Sequence, residues 1–238
     1  MAAASASPPH GPSHATTAAR FLFHTLVVAY MLHSYRSIAD VVGKDFEAEY
    51  GGNLQYLTVV GMVATCITMG LSAVNDLMPF PVLHGAKRLV ALAAMPVEIT
   101  ISAIYWPLIL LAPQLMIPPD LQAAPDADIK AASADAPLVF LPMWMDLGLH
   151  AVPAAALIID FFLLERKYRP PMSNKVAIAV AILFTSGYAS WVEHCASING
   201  HFPYPFLTIM SFSGRVKMYA ISAVFALLVF WLLNALHK

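Results

Sequence analysis

Six stretches of the chain are apolar over roughly the 20 residues that a helix needs to cross a bilayer, and polar segments separate them. The first, Phe21 to Leu32, continues with weaker apolarity to Ile38. The second runs from about Leu54 to Leu77, the third from Leu89 to Leu111, and the fourth from Phe140 to Leu164. The fifth covers Lys175 to Cys195 and the sixth Val216 to Leu236. These runs are far too long for barrel strands of ~10 residues. A helix satisfies its own backbone in lipid, so the pattern predicts an all-α fold, a polytopic transmembrane helical bundle of six spans. Residues 1–19 hold Ala, Ser, Pro, His and Thr without a charge or a large apolar side chain, and are predicted to form a disordered N-terminal tail. The bundle then occupies residues 20–238 as one domain. Ala112 to Pro137, rich in Pro, Ala and Asp, is predicted to be a long loop.

Inside the spans, polar residues recur at helical spacing. Span two carries Thr58, Gly61, Thr65, Thr68, Ser72 and Asn75, which step by three and four and so share one face. Span three offers Glu98, Ser102 and Tyr105. Span four offers Asp146, His150 and Asp160, and span five Ser186, Ser190, Glu193 or His194, and Ser197. Ionisable groups at mid-helix cost roughly 2.5–3.5 kcal/mol on insertion scales, so they turn toward a bundle interior or a water-filled cavity. Four such faces predict a polar pocket within the bundle.

Composition narrows the class. The chain is 59% hydrophobic and 11% charged, against roughly 25% charged in soluble domains. A net charge of −1 without a basic patch argues against nucleic-acid binding. Cys66 and Cys195 both lie in apolar runs and form no disulfide framework. Of the Lys and Arg residues, eight fall on the side of the N-terminus and five on the far side, which predicts both termini in the cytoplasm. No G-x-S-x-G elbow, H-E-x-x-H site or P-loop is present, and His150, His194 and His201 are isolated rather than boxed.

Depth links two of the polar residues. Thr58 lies about four residues into span two from the far side, roughly 6 Å deep, and His150 roughly 9–15 Å deep from the same side. A threonine hydroxyl needs an adjacent base to attack a carbonyl, and histidine is the commonest one. Asp146, four residues before His150, shares its face and is placed to orient the ring; Glu193 is a second candidate for that role. Asn53, Tyr204 and backbone N–H groups are candidate oxyanion donors. From the residues alone, a packing or pore histidine remains the alternative.

A series of short motifs runs in order along the chain. They are His33-Ser34-Tyr35-Arg36-Ser37-Ile38, Tyr50-Gly51-Gly52 with Tyr56-Leu57-Thr58, Pro96-Val97 with Tyr105-Trp106, and Gly148-Leu149-His150. Gly187-Tyr188, Trp191-Val192, Gly200 and Tyr204-Pro205-Phe206-Leu207 follow. In these the chain resembles the androgen-induced gene one family. The resemblance implies a six-span membrane hydrolase that cleaves fatty acid esters of hydroxy fatty acids. It also implies Thr58 as nucleophile and His150 as base, with no metal or organic cofactor. Asp146, Glu193, His194 and Tyr204 would then contact the pair or the substrate. Family members carry Asn-His where this chain has Asp146-Leu147, and His-His where it has Ala196-Ser197. The implied partners are a lipid ester and the lipids of the plasma membrane or endoplasmic reticulum. The rival expectation is a lipid-binding or channel-like bundle without catalysis.

Overall fold

The computed structural model describes residues 14–42, 48–116 and 141–238, and among these every regular element is helical. Seven helices carry the architecture: α1 (His14–Arg36), α2 (Leu57–Leu77), α3 (Pro81–Leu111), α4 (Met143–His150), α5 (Val152–Ile159), α6 (Ala177–Asn199) and α7 (Phe212–Leu236). Among the described residues, four helical stretches are long and apolar enough to cross a membrane, and a fifth span results when the bent pair Met143–His150 and Val152–Leu164 is taken as one. The multi-pass helical architecture expected from the apolar runs is thus present, with four to five qualifying spans in place of six. The difference is α1, whose 23 residues include Arg20, His24, His33 and Arg36. It begins at His14, inside the stretch expected to be a tail. Residues 1–13 of that tail, 117–137 of the expected long loop and the start of the expected fourth span at 140 lie outside the described residues.

The bend in the fourth apolar run has a local cause. Pro153 has no N–H, so the Leu149 carbonyl loses the partner that a continuous helix would supply. The backbone leaves the helical region at Ala151 (φ −132, ψ −48) and the axis turns by 48°. The His150 carbonyl is then taken up by α3, from which the Ser102 hydroxyl and the Trp106 indole N–H (3.3 Å) both donate to it. One turn of π-helix, Asp160–Leu164, extends α5 and turns Asp160 into the bundle.

Two apolar clusters fill the interior. One joins Met69, Leu92, Met95, Leu157, Phe161 and Phe230. The other is Met31, Met62, Met145 and Leu149. The polar face of α2 is absorbed locally. Thr65, Thr68 and Ser72 donate to carbonyls one turn back, at 3.1, 2.9 and 2.7 Å. Thr65 also donates to Glu98 (3.2 Å), which approaches because Gly61 has no Cβ; one there would stand 2.8 Å from Oε1.

A chain of buried ion pairs binds the opposite end of the helices. Arg20 and His24 on α1 reach Asp76 at 2.9 and 2.6 Å, and the other His24 nitrogen meets Asp160 at 3.0 Å. Lys87 sits between Asp160 (2.9 Å) and Glu165 (2.6 Å), and Arg88 completes the chain at Glu165 (2.9 Å). Lys87 and Arg88 belong to the interior of α3 and not to a loop ahead of it, and the Lys87 side chain is 1% exposed. Removing one partner of a buried pair strands the others in low dielectric. Lys87→Met is therefore expected to lower stability by about 3–5 kcal/mol, read as a fall in the thermal unfolding midpoint in detergent. An unchanged midpoint would mean that the network does not brace the fold.

Candidate functional site

At the end opposite the ion pairs, the entry into α2 is built from two glycines in the left-handed region, Gly51 (φ 89) and Gly52 (φ 46). A Cβ on Gly51 would stand 2.6 Å from the Cys195 sulfur, so glycine lets this turn press against α6. α6 then clamps it. Asn199 takes the Tyr50 N–H (3.0 Å) and donates to the Tyr50 carbonyl (3.1 Å). Trp191 donates to the Leu54 carbonyl (3.0 Å) and Tyr188 to the Gln55 carbonyl (2.9 Å).

Thr58 follows as the second residue of α2, at the positive end of the helix dipole. The N-cap residue, Tyr56, offers no side-chain cap. Tyr204 supplies one from a distance: its hydroxyl accepts the Leu57 N–H at 2.8 Å, beside Thr58. Burial pushes the Tyr204 phenol above its ordinary range, which keeps it an O–H group. Thr58 and Tyr204 line a cavity of about 140 Å³ between α2, α3, α6 and α7. Its walls are largely apolar, and Tyr105, Tyr188 and Tyr219 line it together with Thr58 and Tyr204.

His150 ends α4. Its Nδ1 meets Asp146 Oδ1 at 2.8 Å, one helical turn back. That carboxylate orients the ring, and a proton on Nδ1 leaves Nε2 as the acceptor. Tyr105 lies flat on the imidazole, with centroids 3.4 Å apart and planes 6° from parallel, and donates its hydroxyl to the same Asp146 oxygen at 2.5 Å. Tyr105 also lines the Thr58 cavity, whereas His150 does not. Among the described residues no hydrogen bond joins Thr58 to His150. The two halves of the expected pair meet through one aromatic ring.

The remaining expected residues sort clearly. Tyr204 is at Thr58, and Asp146 is at His150. Glu193 does not orient His150, because Arg215 holds it in a two-pronged pair (2.6 and 2.8 Å) and Tyr219 donates to it at 3.1 Å. His194 is exposed and meets the Tyr50 hydroxyl at 3.3 Å. Asn53 is engaged with the Tyr35 hydroxyl at 3.2 Å. The partners that sequence reasoning did not assign are Trp106, Tyr188, Arg215 and Tyr219. For Trp106 a signal existed, since it adjoins Tyr105 and lies four residues after Ser102 on the same face. No three His, Cys, Asp or Glu side chains among the described residues are grouped as metal ligands.

Residues 19–238 match the family described as FAR-17a/AIG1-like protein. The chain belongs to this family. A UPF0641 membrane protein from Schizosaccharomyces pombe is 23% identical over 219 residues, covering 91% of this chain and 89% of its own. The human androgen-induced gene 1 protein is 22% identical over 191 residues, covering 74% and 72%. No solved structure matches the chain. The family resemblance anticipated from the short motifs is therefore shown, and with it a membrane protein of several spans.

Within this FAR-17a/AIG1-like fold the Tyr204 hydroxyl has a measurable structural share. Tyr204→Phe leaves the Leu57 N–H without its partner at a helix end that has no other cap. An unpaired buried donor costs about 1–3 kcal/mol, so the variant is expected to unfold correspondingly earlier in detergent. Unaltered stability would show that water or another donor pair replaces the cap.

Proposed function

We propose that the chain is a membrane-embedded hydrolase that cleaves fatty acid esters of hydroxy fatty acids, with Thr58 as nucleophile and His150 as general base. One observation carries the reading: the family's threonine lines a mostly apolar cavity that Tyr105 also lines, and a His–Asp pair stands behind that aromatic side of it. In the reaction, Thr58 Oγ attacks the ester carbonyl and His150 accepts its proton. The proton passes to the departing alkoxide of the hydroxy fatty acid, leaving an acyl-threonine that water hydrolyses by the same base. Asp146 holds the imidazole as the acid does in a Ser-His-Asp triad. Tyr204 and the first N–H groups of α2 are the donors nearest to an oxyanion formed at Thr58. Catalytic hydrogen bonds often close only when substrate is bound, so the missing direct Thr58–His150 bond is compatible with this role.

The proposal includes six spans with both termini cytoplasmic, in the plasma membrane or endoplasmic reticulum. Support for α1 as the sixth comes from its two faces. His24 and Ser34 are fully buried among the other helices, while Leu22 and Leu26 are 55% and 65% exposed. With His24 and Ser34 turned inward, the leucine face of α1 can meet lipid despite a low overall apolarity, while His33 and Arg36 lie exposed at its C-terminal end.

One feature favours the rival reading, a lipid-binding bundle without turnover: among the described residues no base is hydrogen-bonded to the Thr58 hydroxyl, and the His150 ring is paired with Asp146 instead. Purified Thr58→Ala and His150→Ala proteins separate the two. On a long-chain ester each is expected to lose turnover by orders of magnitude, as removal of a nucleophile or base does. A phosphonate ester probe is expected to label Thr58 covalently. Wild-type turnover in either folded variant, or reversible lipid binding without labelling, selects the rival.

A further inference from the structure

The Thr58 cavity does not end where its hydroxyls end. A second cavity of about 30 Å³ continues from it toward the ion-pair end, and both are lined by Val97, Phe184, Thr185 and Ala226. Beyond those four, the wall is Leu92, Ala93, Ala177, Val180 and Phe230 among others, without an ionisable group. The two spaces follow one seam between α3, α6 and α7.

The lining positions on each helix form single stripes. On α3 they run Leu108, Ile104, Ile101, Val97, Ala93, in steps of three and four. On α7 they run Ser222, Ala226, Phe230, in steps of four. From Leu108 to Leu92 the α3 stripe is about 24 Å long at 1.5 Å per residue. Small residues keep the seam open: Ser222, Ala223 and Ala226 on α7, and Ala177 and Ala181 on α6. Phe230, 1% exposed, closes the lower end. The cavity that Thr58 lines carries the other hydroxyls, and the lower one offers none beyond Thr185.

An elongated space that is polar at one end and apolar along the rest fits an amphiphile with one unbranched chain. We infer that the α3–α6–α7 seam is an acyl-chain channel and that the waist formed by Val97, Phe184 and Ala226 sets the length of chain it accepts. Ala226 is the residue at which a larger side chain would divide the channel. Because the chain arrives from lipid and not from water, burial alone gives it little advantage, and selectivity must come from fit at this waist. The inference rests on the hydrolase reading only for what happens at the head; the channel can be tested without turnover.

The test uses the full-length protein in detergent micelles and two photoreactive palmitic acids, one with a diazirine near the methyl end and one with it near the carboxyl end. The methyl-end probe is expected to label the lower wall around Leu92, Ala177 and Phe230, and the carboxyl-end probe residues around Thr58 and Tyr204. Thr58→Ala is expected to keep this pattern, so a failed hydrolase assay leaves the channel standing. Ala226→Trp should abolish lower-wall labelling by the methyl-end palmitic probe, while an octanoic analogue continues to label above the waist. Its retention of palmitic over octanoic probe should fall by roughly tenfold or more, the scale on which apolar pockets discriminate length. Should Ala226→Trp fail to fold, Ala226→Leu is expected to act in the same direction, and Phe230→Ala to lengthen the preferred chain. The inference is overturned if the methyl-end probe labels only lipid-facing residues such as Ile182 and Leu228, or if lower-wall labelling survives the enlargement of Ala226 in folded protein.

Discussion

A polar group inside these helices has to find its partner within the chain. That constraint shapes both ends of the bundle. At one end it gathers three cations and three carboxylates around His24, whose two ring nitrogens both face carboxylate oxygens. The pairs tie α1, α2, α3 and the π-turn after α5 into one unit, so the least apolar helix is held by its charges and not by its hydrophobicity. At the other end the same constraint brings a tyrosine from the α6–α7 connection to the bare N-terminus of α2. Thr58 owes its position to that cap.

The broken fourth run obeys the same rule. Pro153 releases the backbone, and α3 answers with two donors to the His150 carbonyl. His150 thereby sits at a helix C-terminus, with Asp146 on one edge and Tyr105 across its face. Gly148 adds a fourth constraint: a Cβ there would overlap the Ser34 side chain, so α4 packs directly on α1. The His–Asp pair is thus fixed from behind by α1 and from the side by α3.

Much of this was legible in the sequence, and what was missed has physical reasons. The runs that became α2, α3, α6 and α7 stand out because lipid-facing side chains dominate them. α1 was harder, because its buried polar residues dilute a span that packs as well as the others. Thr58 and His150 fell in one membrane half by counting residues, since helical rise converts position into depth. Counting gives a face and a depth but no ring orientation, so the Tyr105 ring on His150 was not foreseeable. Lys87, Arg88 and Glu165 stand at or just beyond the ends of apolar runs, next to polar stretches; only the packed helices reveal that they pair inside. Arg215 claims Glu193 across the α6–α7 turn, and no spacing rule connects those two positions.

Tyr105 is where the two halves of the site have to be reconciled. Its ring covers His150, its hydroxyl holds Asp146, and another part of the same side chain forms the cavity wall facing the Thr58 space. On the hydrolase reading, a proton leaving Thr58 for the imidazole passes beside this ring or follows its displacement. The phenol hydroxyl gives the ring a reason to stay, because moving it would leave one Asp146 contact unmade. A substrate that fills the cavity presses on the same wall from the other side. On the hydrolase reading, chain binding and assembly of the Thr58–His150 pair are then one event, since the ligand that occupies the seam is also what can shift the residue separating nucleophile from base.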